Sequence, residues 1–331
     1  MIEVPDATEQ SGHVAASRPM MGGRVGVAIR PASDAPASRA SAARDASRAL
    51  GRMAAWSTRL TRFTSTSDLS RLNDDPRSAV PVRPTLGALL DWGRAAEAAT
   101  DGTVDIAMLD ARLAAEGIAA AGIDRPLVRS AASRAWSLDR RARGVVVDRP
   151  VGLRFDLDGV GKGWLADRAL RLLAGHPAAL VDADGDIAVS LAAGERWHIA
   201  VDDGRAPAVD DATSASATHL AVLELVGAAG PGTTRFGVAT SGTSVHHWLR
   251  HGRSRHHLID PVTAQPAVTD LVQVTVLAGS AREAEALAKA AVIVGSEAAL
   301  RMLDRPSVAG ALLLTERGEL LALPVTLRWL A

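Results

Sequence analysis

The chain has 331 residues, 47% of them apolar and 22% charged, which is enough to bury a substantial core and unlike a disordered or fibrous sequence. Lysine plus arginine balance aspartate plus glutamate, 37 against 37, so no net field draws nucleic acid or an anionic membrane, and aromatics at 3% without tyrosine offer no base-stacking platform. The absence of cysteine excludes disulfides, thiolate metal ligands, a cysteine nucleophile and a lipoprotein anchor.

Residues 1 to 18 read as a disordered N-terminal tail and residues 19 to 331 as a single compound domain. The start lacks a basic segment followed by an apolar run, and no window reaches the roughly 18 apolar residues of a spanning helix. The expectation is a cytoplasmic protein without stable membrane insertion. The first strand is expected at Arg24 to Ile29, where Val25, Val27 and Ile29 alternate. Helical spacing of Leu50, Met53, Ala54 and Trp56 predicts a helix over Ala37 to Leu60, and a second runs from Pro84 to Thr100, before the Asp101-Gly102 break. Strands are expected at Gly144 to Val147 and Leu153 to Leu157, then a glycine-rich turn, a helix from Trp164 to Leu173 and a strand at Ala179 to Val181. Further strands fall at Trp197 to Val201, His219 to Leu225 and Leu271 to Val276. Helices cover Ala281 to Gly295 and Glu297 to Leu303, and a hairpin joins Gly310 to Leu314 with Glu319 to Leu323. Asp202 to Ser216 reads as a surface loop. The mixed order of strands and helices predicts an α+β fold.

Four segments carry candidate chemistry. Asp156-Leu157-Asp158-Gly159-Val160-Gly161-Lys162-Gly163 sets acids at a strand end, then glycines, then a lysine at the mouth of a helix. Backbone N–H groups at a helix start favour anions, so the segment suits a phosphate; a tight turn with a surface lysine reads the same residues. Gly163 in place of Ser or Thr excludes a Walker A loop. Asp182-Ala183-Asp184-Gly185-Asp186 gathers three carboxylates after a strand, in a spacing that excludes an EF-hand and also suits a solvated turn. Ala239-Thr240-Ser241-Gly242-Thr243 offers hydroxyls after an apolar strand, for a phosphate or for a hairpin turn. His257-Leu258-Ile259-Asp260-Pro261 places a histidine near a carboxylate able to orient it as a base. With His246, His247 and His251 it also suggests a metal cluster, since His247 and His251 have i,i+4 spacing in a helix.

In their order along the chain these segments resemble the ApbE family, the FAD:protein FMN transferases. Met21-Gly22, Arg62-Phe63, Ser67 to Asn73, Thr100 to Asp105 and the helix from Ala284 to Gly295 complete the likeness, which covers Met20 to Leu303. The resemblance implies a T-fold-like compound domain of mixed and antiparallel sheets flanked by helices. It implies a flavin against Met21, Gly22, Val104 and Asp105, with Asp156, Lys162 and Asp186 on the dinucleotide and Ser241, Gly242, Leu258 and Lys289 beside it. By the same resemblance His257 is expected to touch the cofactor and, with Asp260, to be the catalytic group. The resemblance further implies FAD as the substrate and magnesium held at Gly159 and Glu285. The implied reaction attaches FMN to a Thr or Ser hydroxyl of a partner flavoprotein bearing an Asp-x-x-Thr/Ser-Thr/Ser segment, with release of AMP. Alternatives are an FAD pyrophosphatase, a catalytically weak FAD-binding protein, and a metal-dependent hydrolase built on the histidines.

The chain departs from the family pattern at several positions. Where the family helix carries an Asp and, four residues on, a Thr that hold magnesium, this chain has Glu285 and Lys289. The usual Asn-Ala-Gly-Gly-Asp is Asp182 to Asp186, Gly23 replaces a threonine, and the glycine after Thr263 is Ala264. Asp210 to Ser214 also resembles the acceptor pattern, and is read as a chance match.

Overall fold

A computed structural model describes residues 12–118, 135–141, 144–203, 219–244, 247–250, 253–323 and 329–330. Its strands are β1 (Val14–Met20), β2 (Gly23–Arg30), β3 (Ala79–Val82), β4 (Ser137–Arg141), β5 (Gly144–Asp148), β6 (Ala178–Ala183), β7 (Ile187–Ala192), β8 (Arg196–Asp202) and β9 (His219–Val226). They continue as β10 (Thr233–Gly242), β11 (His247–Arg250), β12 (Arg253–His256), β13 (Ile259–Asp260), β14 (Gln265–Pro266), β15 (Leu271–Ala278), β16 (Val308–Thr315), β17 (Leu320–Leu323) and β18 (Trp329–Leu330). The helices are α1 (Pro36–Leu60), α2 (Asp68–Asp74), α3 (Pro84–Ala99), α4 (Leu109–Glu116), α5 (Lys162–Leu170, extended by a 3-10 turn at Arg171–Leu173), α6 (Ala281–Val294) and α7 (Ser296–Leu303).

Eight strands make one antiparallel sheet in the order β1-β2-β6-β7-β10-β15-β16-β17. Successive side chains of a strand point to opposite faces, and the sequence obeys that period. Val25, Val27 and Ile29 of β2 and Ala179 and Val181 of β6 face a core shared with α1, α3 and α5. Ala28, Leu180, Ile187, Val189 and Leu191 face the other way, against Trp197, Ile199, Val201, Leu223 and Leu225 of the β18-β9-β8 sheet. Each buried Val, Leu or Ile among them stabilises the fold by about 1.5–3 kcal/mol. The helix α6 packs on β10 and β15 over a third core, with Leu287 and Ala291 against Val274 and Val276. The fold is α+β, as the mixed element order implied. Among the described residues no helix is long and apolar enough to cross a membrane.

The structure corrects the sequence reading in three places. The tail expected over residues 1 to 18 gives way at Val14 to β1, which pairs along its whole length with β2 through a two-residue turn. That turn, Met21 and Gly22, has φ of 59° and 86°, the left-handed backbone that two-residue hairpins need. Leu153 to Leu157 is not a strand; Asn73 pins it instead, donating to Phe155 O at 2.8 Å and accepting from Phe155 N at 2.8 Å. His247 begins a strand opposite His256, so the helical i,i+4 spacing with His251 does not arise. His246, His251 and Asp210 to Ser214 lie outside the described residues, as does the loop expected from Asp202 to Ser216 beyond residue 203.

Candidate active site

Two packed helices, α5 and α6, set the site's frame, each closing the other's N-terminus with a carboxylate. A helix leaves its first amides unpaired, and an anion satisfies both those donors and the dipole. Asp167 of α5 accepts from Ala281 N at 3.1 Å and Arg282 N at 3.2 Å, while Glu285 of α6 accepts from Lys162 N at 3.3 Å and Gly163 N at 3.0 Å. The helices approach so closely that a Cβ on Gly163 would lie 2.5 Å from Ala281 O. Glu285 is 4% exposed, and burial together with the nearby Asp186 holds its carboxyl well above the usual range. The helix mouth read from sequence as a phosphate cradle is therefore already filled from within the chain.

Lys162 opens α5 and turns toward the β6–β7 hairpin. Its Nζ donates to Asp184 O at 3.3 Å and lies 3.4 Å from Asp184 Oδ2 and 3.7 Å from Asp186 Oδ2. Burial works against the ammonium, but Asp186, Asp184, Glu285 and Asp158 outweigh it and raise its pKa. The acids respond in kind: burial lifts Asp182 to about 7 and Asp186 to about 6. Asp184 occupies left-handed backbone at φ 61°, and its carboxylate fills the space that a Cβ on Gly23 would take. The departures from the family pattern at 23 and 184 are thus one accommodation, a missing side chain on β2 making room for an added one on the neighbouring turn.

One helical turn beyond Glu285, on the same side of α6, stands Lys289. Its Nζ, Cε and Cδ fill the space a side chain on Gly159 would need. Burial pulls its pKa down and Arg112 adds to that, against Asp156, Asp158 and Glu285. Asp156 is raised by burial first and by Asp158 second, and relieved by Arg112, Arg62 and Lys289. Arg112, 7% exposed, ties this end together: it reaches Glu116 Oε1 at 2.5 Å, Asp158 Oδ2 at 3.5 Å, and donates to the backbone oxygen of His257 at 3.0 Å. Arg62 shares Glu116 Oε1 at 2.8 Å and stands 3.8 Å from Asp156.

Thr103, Asp105, Met108, Arg112, Asp156, His257, Ile259 and Lys289 line one cleft of about 20 Å³. A continuous polar row thus runs from Gly23 through Asp184, Lys162, Glu285 and Lys289 to Asp156, Arg112 and His257. A wider cavity of about 270 Å³, lined by Asp68, Arg71, Arg77 and Arg83 among others, holds none of these residues.

The remaining candidates are dispersed. Met21 packs partly buried on the first core, at the turn before Gly22 and Gly23. Val104 and Leu258 are core residues behind the cleft, fully buried or nearly so. Asp105 lines the cleft and accepts from Ala107 N at 2.7 Å. Ser241 and Gly242 close β10 opposite Val274 and Gln273, where a Cβ on Gly242 would meet Val272 O at 2.7 Å. Asp260, expected to orient His257, spends its oxygens on its own turn, accepting from Val262 N at 2.9 Å and Thr263 Oγ1 at 3.0 Å. The sequence reading missed Arg112, Glu116 and Asp167; the i,i+4 pair of Arg112 and Glu116 was the one local signal.

Fold and row together define an α+β domain with a charged cleft set against a clasped helix pair. The chain belongs to the ApbE family, whose model matches residues 21–313. It is 32% identical over 164 residues to the FAD:protein FMN transferase of Treponema pallidum, a match covering 46% of this chain and 41% of that protein. A match at 26% identity to the Salmonella typhimurium protein of the same name covers 59% and 53%. The chain spans about half the length of the curated relatives it matches. The crystal structure of the Pseudomonas stutzeri flavinyl transferase ApbE superposes with a TM-score of 0.68 at 24% identity over 95% of both chains. The apbe protein of Thermotoga maritima gives 0.72 at 22%, over 93% of this chain and 96% of that one. At these identities the superpositions establish the fold.

Proposed function

We propose that the chain binds FAD at the polar row and transfers its FMN half to a Thr or Ser hydroxyl of a partner protein, releasing AMP. The observation that carries the reading is the shared cleft: His257 and Lys289 line one space with Asp105 and Asp156. Phosphoryl transfer asks a protein for positioning and for charge neutralisation at the oxygens, and little else. In this reading the acceptor hydroxyl oxygen bonds to the FMN phosphorus while the bond from that phosphorus to the AMP oxygen breaks. His257 takes the hydroxyl proton, Lys162 and Lys289 face the phosphates, and Arg112 holds the backbone of His257 in place.

Magnesium does not fit the donors as they stand. Both oxygens of Glu285 accept helix amides, a lysine stands four residues on, and among the described residues no three His, Asp or Glu are grouped to hold a metal. A charged lysine has no lone pair to offer a cation.

The test is incubation of the purified chain with FAD and a protein carrying an Asp-Gly-Ala-Thr-Thr segment, with and without magnesium, followed by intact mass. A gain of one FMN on the acceptor supports the reading. Release of free FMN and AMP without a gain replaces it with hydrolysis of FAD.

A further inference from the structure

We propose that the ammonium of Lys289 takes the place of a divalent cation at this site, so that the pocket neutralises its ligand's phosphate charge with a tethered amine and binds that ligand without magnesium. The proposal rests on the flavin reading for the identity of the ligand, and on this chain's own donors for the rest. Glu285 and Lys289 lie one turn apart on α6, the two positions from which the family resemblance has a metal held. Glu285 does not line the cleft, and both its oxygens are fastened to Lys162 N and Gly163 N as the cap of α5. Lys289 does line the cleft, with Asp105, Asp156 and His257.

The Lys289 ammonium also rests on the backbone of Gly159, the third position from which the resemblance has the metal held. A magnesium ion held from these three positions would need oxygen ligands in the space over Gly159. Here it is filled by a nitrogen bearing three hydrogens, which repels a second cation and donates to phosphate oxygens directly. The carboxylates of Asp156 and Asp158, which a metal would otherwise balance, instead lie within the electrostatic reach of Lys289, Arg112 and Arg62.

The experiment titrates FAD into the 331-residue chain in EDTA and in magnesium, followed by flavin fluorescence and calorimetry, for the unaltered chain and for Lys289→Met. The unaltered chain is expected to bind within about twofold equally in the two buffers, and Lys289→Met to lose about tenfold or more in both, since a charge-assisted hydrogen bond disappears. A loss of about tenfold in EDTA by the unaltered chain, or unchanged binding by Lys289→Met, overturns the proposal. In parallel, manganese is titrated into the chain alone and followed by electron paramagnetic resonance. No saturable binding is expected, and one stoichiometric ion released by Glu285→Gln overturns the proposal whether or not FAD binds. Absence of FAD binding in both buffers would sink the flavin reading and leave the manganese titration to decide the cation.

Discussion

Lys162 and Lys289 carry the same amine into opposite surroundings at the two ends of one polar row. Around Lys162 stand Asp184, Asp186 and Glu285, and this excess of acid raises its pKa in spite of burial. Around Lys289 burial prevails, Arg112 adds a like charge, and the pKa falls. The first lysine is held in place by the chain's own carboxylates, whereas the second stands over a glycine at the wall of the cleft. A ligand anion therefore competes with three carboxylates for Lys162 but relieves an electrostatic deficit at Lys289. Charge count alone predicts neither behaviour; the helix cap that removes Glu285 from the cleft separates them.

The largest expected effect tests the cleft end. His257→Ala should retain FAD binding while transfer falls about 10²–10⁴-fold, because a general base assists turnover without anchoring the ligand; undiminished transfer would remove the base assignment. Next, Arg112→Ala should cost about 3 kcal/mol in urea denaturation, since it strips Glu116 and Asp158 of a buried partner, and should lower the turnover number more than it raises KM. A loss below ~0.5 kcal/mol would show that Arg62 alone satisfies Glu116.

At the clasp, Gly163→Ala should cost about 2 kcal/mol, because the new methyl meets backbone that cannot swing aside. Gly159→Ala, whose methyl meets the flexible end of Lys289, should instead leave the midpoint of unfolding nearly unchanged and weaken FAD binding. Equal destabilisation by both would erase the distinction between the two ends.

Protonation sharpens the comparison at the Lys162 end. The carboxyl of Asp182 titrates near 7 in the folded chain against 3.8 unfolded, so the folded state binds the extra proton between those values. Stability from this group is intact below about pH 4, declines as pH rises toward 7, and is constant beyond. Asp182→Asn keeps the acceptor for Gly185 N and should raise stability by about 1 kcal/mol at pH 8 with no gain at pH 4. A gain independent of pH would point to a cause other than the buried charge. An effect of similar size is expected at the turn after His257: Ala264 sits at φ 56°, and Ala264→Gly should stabilise by about 1 kcal/mol without altering FAD binding.

Much of the frame was legible in the sequence because it follows two periods. Val25, Val27 and Ile29 announced β2, and Leu50, Met53 and Trp56 announced α1. β7 escaped notice because Ile187 to Ala192 follows directly on the aspartate-rich turn that drew the reading to its carboxylates, and Leu153 to Leu157 misled because its backbone is bonded by a side chain, Asn73, and by Ile106 O rather than by a strand. The site was legible as an order of motifs, while its wiring was not. Nothing local in the sequence says that Glu285 folds back on α5, that Arg112 holds His257, or that Asp260 closes a turn, since each is a contact made across the fold or a choice among competing donors.

The reciprocal caps of α5 and α6 also bear on how a ligand is greeted. A helix with vacant amides meets an anion as a fixed mould, ready before the guest arrives. Here the first amides of α5 and α6 are already engaged by Glu285 and Asp167, so on the proposed reading an incoming phosphate is met by lysine side chains rather than by a helix end. Recognition then falls to amines that the fold has already seated, Lys162 against Asp184 and Lys289 over Gly159.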